Sequence, residues 1–521
     1  MTHFKITSII NGTLFQNNGT TSIANNEFIT FAQANLGLKF TPANNFIGTA
    51  HFTLQASVSN IDAGLGGSTV IADIVVNKAN TTTGVTSSQN PSLTGQSVTF
   101  TATLAVTAPG AGTPTGDISF LDGGNPITGC TNVALTGLTA QCMTSALTAA
   151  SHTITTAYSG DGSFNTNNGS LTGNPQVVSN TAVWDGSASS DWNTAANWTT
   201  NFVPLATHNV DLPTGALPNQ PNLSAADTSV VNLAVGAGRT LTIGGGRTLS
   251  VTGVLTMNGN NIDATAGMLE IGGAGTVVRT SGVVLGNMRK VVTSAPFAPV
   301  SPTFVFVYPV GTATGFSPVT ANVTAGTGSL TVFAKDGTAP ATPVLNDATT
   351  LDRYWTLTEA GAITADLTFN YLQADVDGTE TNYRTIRVTG GVPTPLANGA
   401  PCPGAGSPCV DSTANTIFVG GVSAFSDWTA GELAPTAANV GVSGRVLNRD
   451  GRGVAFARVA MTDENNNVVY AITNPFGYYR FTSVAAGQNY VISVTDKRYT
   501  FQTRLVTVND ELTDLDFVAD P

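Results

Sequence analysis

Charge is what this chain has least of. Only 10% of its 521 residues are Asp, Glu, Lys or Arg, against roughly 25% in average globular domains. The net charge is −12 and the sequence pI about 4.6, which argues against nucleic acid or an anionic membrane surface as partner. Histidine is nearly absent. His3, His51, His152 and His208 stand far apart, with no HExxH motif and no second histidine at metal-ligand spacing. Glu27, Glu270, Glu359, Glu380, Glu432, Glu464 and Glu511 fall in different modules or loops, so no carboxylate pair for glycoside hydrolysis stands out. No GxSxG elbow occurs. Gly244-Gly245-Gly246-Arg247-Thr248 lacks the lysine and the following helix of a phosphate loop. These absences predict a chain that is not an enzyme and carries no cofactor. No segment approaches ~18 consecutive apolar residues, so neither a transmembrane helix nor membrane insertion is expected. Met1-Thr2-His3-Phe4-Lys5 runs straight into strand-like sequence, without the basic and apolar regions of a signal peptide. The expectation is that the true N-terminus lies upstream, or that this is a processed or excised piece.

What remains is apolar and regularly spaced. Hydrophobic residues make up 41% of the chain, too many and too periodic for disorder. Gly, Thr, Asn, Ser and Ala carry the polar surface, as in extracellular β-rich repeat proteins. At this length three to five domains are expected. The four cysteines form two close pairs, which suits an oxidising compartment. Cys130 and Cys142 flank a loop in which Leu135-Thr136-Gly137 predicts a three-residue hairpin, with Gly137 left-handed and the two cysteines directly opposite. Cys402 and Cys409 would pin a single loop.

Residues 1–79 show strands about a dozen residues apart: Phe4-Lys5-Ile6, Gly12 to Phe15, Phe28 to Phe31, Leu38-Lys39-Phe40 and Phe52 to Ala56. The run from Asn11 to Ser57 resembles cadherin-like repeats of large bacterial adhesins. Such a repeat normally has about two more strands before it, so a partial sandwich with an unpaired edge is expected. Residues 80–179 open on a Thr/Ser-rich stretch read as a linker. Gly95-Gln96-Ser97-Val98-Thr99-Phe100, Pro114-Thr115-Gly116, Phe120-Leu121-Asp122-Gly123 and Tyr158-Ser159-Gly160-Asp161 follow. These motifs resemble a bacterial Ig-like repeat, which implies a spacer or adhesive module.

Residues 180–292 begin with Trp184, Trp192 and Trp198, which serve either as an exposed platform for glycan or as a cap on the next module. The cap is the stronger reading, because the end of a solenoid must be covered. Val230–Val292 then alternates short apolar triplets with glycine clusters. Gly-Arg-Thr-Leu occurs at Gly238–Leu241 and again at Gly246–Leu249. Breaks every eight to twelve residues suit rungs of a short β-solenoid or an irregular β module. With its tryptophan-rich leader the region resembles modules of bacterial autotransporter-like secreted proteins.

Residues 293–434 read as a sandwich with strands at Phe304–Val310, Leu330–Phe333, Arg353–Leu357 and Ala365–Phe369. Asp375 and Asp377, in Asp-Val-Asp-Gly, are weak candidates for calcium; they lack the remaining ligands of an EF-hand. Residues 439–521 carry Val442 to Val446, Gly453-Val454, Ala457-Arg458-Val459, Thr473 to Phe481 and Ala486-Gly487. This resembles the carboxypeptidase regulatory-like family, a small transthyretin-like sandwich. The resemblance implies an accessory fold without catalytic residues.

The chain is therefore expected to be all-β: tandem Ig-like β-sandwiches around a central short β-solenoid-like or irregular module. It would be an extracellular, bacterial structural or adhesive rod at the cell surface. The partners considered are other cell-surface proteins, glycans, or the chain itself in a filament built by β-strand donation. A carbohydrate-binding accessory region of a larger secreted enzyme is a further alternative.

Overall fold

The structure, a computed structural model, describes residues 1–293, 304–342, 344–396, 408–432, 439–464, 466–508 and 510–521. The chain divides into two compact units. One holds Met1–Asn260 with Ala274–Ser281; the other holds Asn261–Gly273 with Gly282–Pro521.

In the first unit, residues 1–79 fold into two small antiparallel sheets. Phe28–Thr30, His3–Ile10, Gly48–Ser57 and Val70–Val76 lie in that order in one; Ser22–Ile23, Gly12–Gln16 and Leu38–Pro42 form the other. Ile6, Leu14, Ile23, Ile29 and Phe52 make the core. The expected strand Phe28–Phe31 ends at Thr30. The Thr30 hydroxyl accepts the Gln33 N–H at 3.1 Å, and the Gln33 amide oxygen accepts the Thr30 N–H at 2.8 Å. This capping box starts a single helical turn, Phe31–Asn35.

The Thr/Ser stretch after residue 80 is not a linker. Thr81–Ser87 is a strand, paired antiparallel with Val98–Val106 and parallel with Asn167–Leu171. Thr81 and Val85 point inward and are buried. β-branched threonine fits a half-buried strand as well as it fits a loop, and composition alone misassigned it. The sheet runs in the order Asn125–Pro126, Asp117–Asp122, Ile154–Tyr158, Asn167–Leu171, Thr81–Ser87, Val98–Val106, Thr139–Thr144. Gly137 is left-handed, at φ 65°. The loop, however, is the two residues Gly137-Leu138, closed by reciprocal bonds between Thr136 and Thr139 at 2.8 and 3.2 Å.

The cysteines are therefore not cross-strand neighbours in a hairpin. Cys142 is registered with Phe100, while the Cys130 carbonyl accepts the Phe120 N–H at 2.9 Å. Their disulfide ties the first and last parts of the strand order together, inside the core. Closing a loop of 12 residues' separation stabilises by about 3 kcal/mol in the chain-entropy account. Reduction, or Cys130→Ala with Cys142→Ala, is expected to lower denaturant stability of this module by about that amount, read by urea unfolding with and without reductant.

The central module is a parallel coil, which decides between the two architectures expected. Thr181–Val183, Asn209–Leu212, Leu233–Val235, Val254–Asn258 and Thr276–Ser281 stack in one parallel sheet. Val210, Leu233, Leu255 and Val277 lie above one another in steps of 23, 22 and 22 residues. The coil length is thus about twice the expected spacing. Both copies of Gly-Arg-Thr-Leu fall within one coil, because each coil contains more than one strand and turns at glycine between them. Left-handed Gly238, Gly245 and Gly246 make those corners. Asparagines satisfy backbone at the bends: Asn232 donates to Asn209 Oδ1 at 2.8 Å and accepts the Val254 N–H at 2.7 Å.

In the second unit, Ile262–Ile271 pairs parallel with Val284–Val292. Val284–Val292 then pairs antiparallel with part of Val319–Asp336. Val319–Asp336 and Arg353–Asn370 are each one 18-residue strand. The expected strands at Arg353–Leu357 and Ala365–Phe369 are two halves of the second. Gly326, Gly328 and Gly361 have positive φ just past a register shift between Val323 and Ala325; at Gly326 and Gly328 a side chain would collide with the carbonyl oxygens of Ala362 and Ala360. Residues 439–521 form a sandwich of two sheets, ordered Tyr478–Val484, Val440–Leu447, Phe517–Val518 and Val468–Ile472, Arg458–Thr462, Gln488–Thr495, Arg504–Val508. Tyr479 and Phe481 enter its core. The Asn474 side chain closes the expected turn, accepting N–H bonds from Phe476 and Tyr478 at 2.9 and 3.0 Å.

Candidate functional site

The three tryptophans meet. Trp198 lies edge-on to Trp184 and Trp192, with ring centroids 5.1 and 4.9 Å away. Trp184 and Trp192 are 0% and Trp198 1% exposed. A stacking surface for sugar needs an accessible ring face, so the exposed platform is corrected to an interior cluster. Backbone pairing shows how the leader gets there. Trp184 N–H donates to the Asp211 carbonyl and Trp192 N–H to the Asn222 carbonyl, both at 3.0 Å. The leader is therefore an added coil of the solenoid, with indoles inside in place of aliphatic side chains. Trp184 Nε1 donates to the Asn219 carbonyl at 3.0 Å and Trp198 Nε1 to that of Trp192 at 2.9 Å.

Asn197, fully buried, folds the leader back on itself. Its side-chain oxygen accepts from Ala188 and Ser189 N–H at 3.0 and 2.7 Å, and its amide nitrogen donates to Ser189 Oγ and the Asp191 carbonyl at 2.9 and 2.7 Å. The cap reading of the sequence expected Asp185 and Asn197 to bond local backbone, and both do, Asp185 Oδ1 accepting the Ser187 N–H at 2.9 Å; the sequence did not assign His208. The His208 Nδ1 accepts the Leu205 N–H at 3.1 Å while Nε2 lies 2.8 Å from the Thr94 carbonyl. That pattern requires the neutral Nε2-protonated tautomer and fastens the coil to the Ig-like module. Gln96 Nε2 adds a bond to the Thr200 carbonyl at 3.0 Å.

Asp375 does not face solvent as a calcium ligand would. It is buried, and both carboxylate oxygens are taken by Arg353: Nε donates to Oδ2 at 3.0 Å and Nη2 to Oδ1 at 2.8 Å. Arg353 is fully buried and also pairs with Asp336 at 2.8 Å. The Asp375 charge is neutralised by a bidentate guanidinium, and its Oδ2 also accepts the Leu372 N–H at 3.1 Å, so the calcium candidacy of Asp375 is withdrawn. Asp377 is tied through its backbone to the Tyr383 hydroxyl. Among the described residues no three His, Cys, Asp or Glu side chains gather where a metal ion could sit. Cys402 lies outside the described residues. Cys409 is buried and disulfide-bonded, on a short strand paired with Thr416–Val422.

One buried cation has a pH consequence. Lys290 is 1% exposed and donates to the Gly273 carbonyl at 2.9 Å and to that of Gly272. Its ammonium lies 5.4 and 5.2 Å from the Phe304 and Phe306 rings. Burial lowers its pKa from 10.5 to about 8. Between those values the folded chain binds fewer protons than the unfolded one, so this contribution to stability rises with pH, complete above 10.5 and absent below 8. Buried Tyr308, Tyr371 and Tyr479, raised above 10 by desolvation, act oppositely once unfolded tyrosine ionises. The second unit is therefore expected to gain thermal stability from pH 8 to about 10 and lose it beyond. Lys290→Met removes the rise. Calorimetry at stepped pH reads both.

No enzyme-like constellation emerges among the described residues, and what the surface offers is apolar. Phe456 at φ 58°, Phe476 and Tyr478 are exposed on residues 439–521. Val70, Ile71 and Val75 are exposed on the first module.

These features define an all-β chain of sandwiches with a tryptophan-capped parallel coil. Residues 85–178 match the bacterial Ig-like domain (group 3) family. Residues 441–519 match the carboxypeptidase regulatory-like domain family, and residues 183–291 match a domain of unknown function, DUF8693. None of these three spans reaches residues 1–79, where the resemblance to cadherin-like repeats was expected. No curated protein matches the chain. Among solved structures, the Bacillus anthracis TIE protein aligns at 8% identity over 99% of this chain and 68% of its own, with TM-score 0.15. Domains 4–9 of surface layer protein SbsC align at 9% identity over 100% of both chains, with TM-score 0.17. The pilus adhesin SpaC from Lactobacillus rhamnosus GG aligns at 8% over 99% of this chain and 56% of its own, with TM-score 0.14. At such TM-scores these alignments carry no weight for fold or function.

Proposed function

We propose that this chain is a non-enzymatic structural or adhesive protein of the bacterial exterior, on the cell surface or in an appendage. The observation that carries the reading is the bacterial Ig-like module with the Cys130–Cys142 disulfide across its core, since such bonds persist in oxidising compartments. The low charge and the accessory, carboxypeptidase regulatory-like module support it. The carbohydrate-binding alternative has lost its named residues, because Trp184, Trp192 and Trp198 face inward. Intact cells that make the protein, treated with a membrane-impermeant amine label, test this. Labelling of Lys5, Lys39 or Lys78 on intact cells is expected. Labelling only after lysis would overturn the proposal.

A further inference from the structure

Sheet edges invite pairing with other chains, and proteins blunt them with charge, proline or short length. Most edges here are blunted. Val392–Pro395 holds Pro393 and Pro395, Leu38–Pro42 holds Lys39 and Pro42, and Thr276–Ser281 and Tyr478–Val484 hold Arg279 and Arg480. Arg504–Val508 begins with arginine, and Phe28–Thr30 has three residues.

Two further edges carry rows of exposed aliphatic side chains, with Asp73 the one charge between them. Val70–Val76 ends the larger sheet of the first module with the sequence VIADIVV; Val468–Ile472 ends a sheet of the last module with VVYAI. Both present apolar side chains to solvent, Val75 at 68% and Ile472 at 67% exposed. In each strand one set alternates inward: Ala72 and Ile74 pack on the first core, Ala471 on the last.

We propose that these edges pair antiparallel between copies, joining the first module of one chain to the last module of the next. Matching the inward faces sets the register: Ile71 opposite Ile472, Asp73 opposite Tyr470 and Val75 opposite Val468, with Ala72 opposite Ala471 and Ile74 opposite Val469 on the inner face. Charge selects this pairing over self-pairing. The Arg458 guanidinium lies 3.5 Å from the Tyr470 ring centroid, so the single charge of the first edge, Asp73, meets a cation. Val70–Val76 paired with itself about its centre would set two Asp73 carboxylates directly opposite, and Val468–Ile472 paired about Tyr470 would bring two Arg458 side chains together; like charges so placed are unfavourable. The contact joins two different patches, so it repeats from chain to chain. This goes beyond the proposed function and has its own readout.

The test uses the full chain. Sedimentation velocity across a concentration series is expected to show oligomers growing with concentration. Asp73→Lys should weaken association at least about ten-fold, equivalent to ~1.4 kcal/mol, and Arg458→Glu in the same chain should restore it. Under oxidation, D73C chains mixed with Y470C chains should cross-link to each other, while D73C alone should not. A chain that stays monomeric, a D73C homodimer, or association unchanged by Asp73→Lys would each overturn the pairing.

Discussion

Replacing Trp198 by alanine is expected to destabilise the first unit by about 3–5 kcal/mol, the range for removing a buried indole. Trp198 is 1% exposed, touches both other tryptophans edge-on, and donates its indole N–H to the Trp192 carbonyl. The hole would open in the terminal coil, whose Trp184 and Trp192 N–H groups bond the Asp211 and Asn222 carbonyls of the next one. Coils stack by contact with their neighbours, so loss of the terminal one exposes the next. Local opening should therefore spread along Asn209–Leu212 and Asn222–Leu223, read as lost amide-exchange protection there before the Ig-like module responds. Trp198→Phe, which keeps an aromatic edge, should cost less. Equal losses from both substitutions would mean that the hydrogen bond rather than packing holds the cap.

The second large effect is at Arg353. Arg353→Ala leaves Asp375 and Asp336 without their guanidinium, and Asp375 is only 6% exposed. Breaking a buried pair by removing one partner typically costs about 3–5 kcal/mol, much of it from the charge left behind. The pair itself is a different matter. Arg353→Met combined with Asp375→Leu removes both buried charges and should recover most of the loss, because apolar replacements of such pairs are often neutral. Urea unfolding of the single and double variants reads the difference. Asp336, 45% exposed on its side chain, keeps its hydration and should contribute little to it.

These two sites also mark where sequence reasoning stops. Strand alternation announced the all-β architecture, the Ig-like module and the C-terminal sandwich, because period-two burial is a local property. The tryptophan cluster was visible as residues, and the need to cover a solenoid end favoured the cap. The coil length was not visible. Gly-Arg-Thr-Leu repeats at eight residues, but the stacked strands set residues 20 to 23 apart side by side, as Leu223 with Ile243 and Val210 with Leu233. Short glycine corners and the true repeat superimpose, and the shorter period is the louder one. Asp375 misled for a related reason. Asp-Val-Asp-Gly resembles an ion-binding turn until Arg353, 22 residues earlier at the start of the strand Arg353–Asn370, is placed against it. The Thr81–Ser87 strand was missed because threonine suits both linkers and strands. The strand Val70–Val76 lies beyond the last strand read for residues 1–79, and its being an edge depends on Gly48–Ser57 being its one partner among the described residues.

That this chain folds and serves outside the reducing cytoplasm is tested most directly by the thiol state of the protein in its own cells. Cells would be opened into acid and alkylating reagent, and the peptides mapped without reductant. The expected result is a peptide pair joined through Cys130 and Cys142, with neither residue alkylated. Recovery of both as free, alkylated thiols would contradict it.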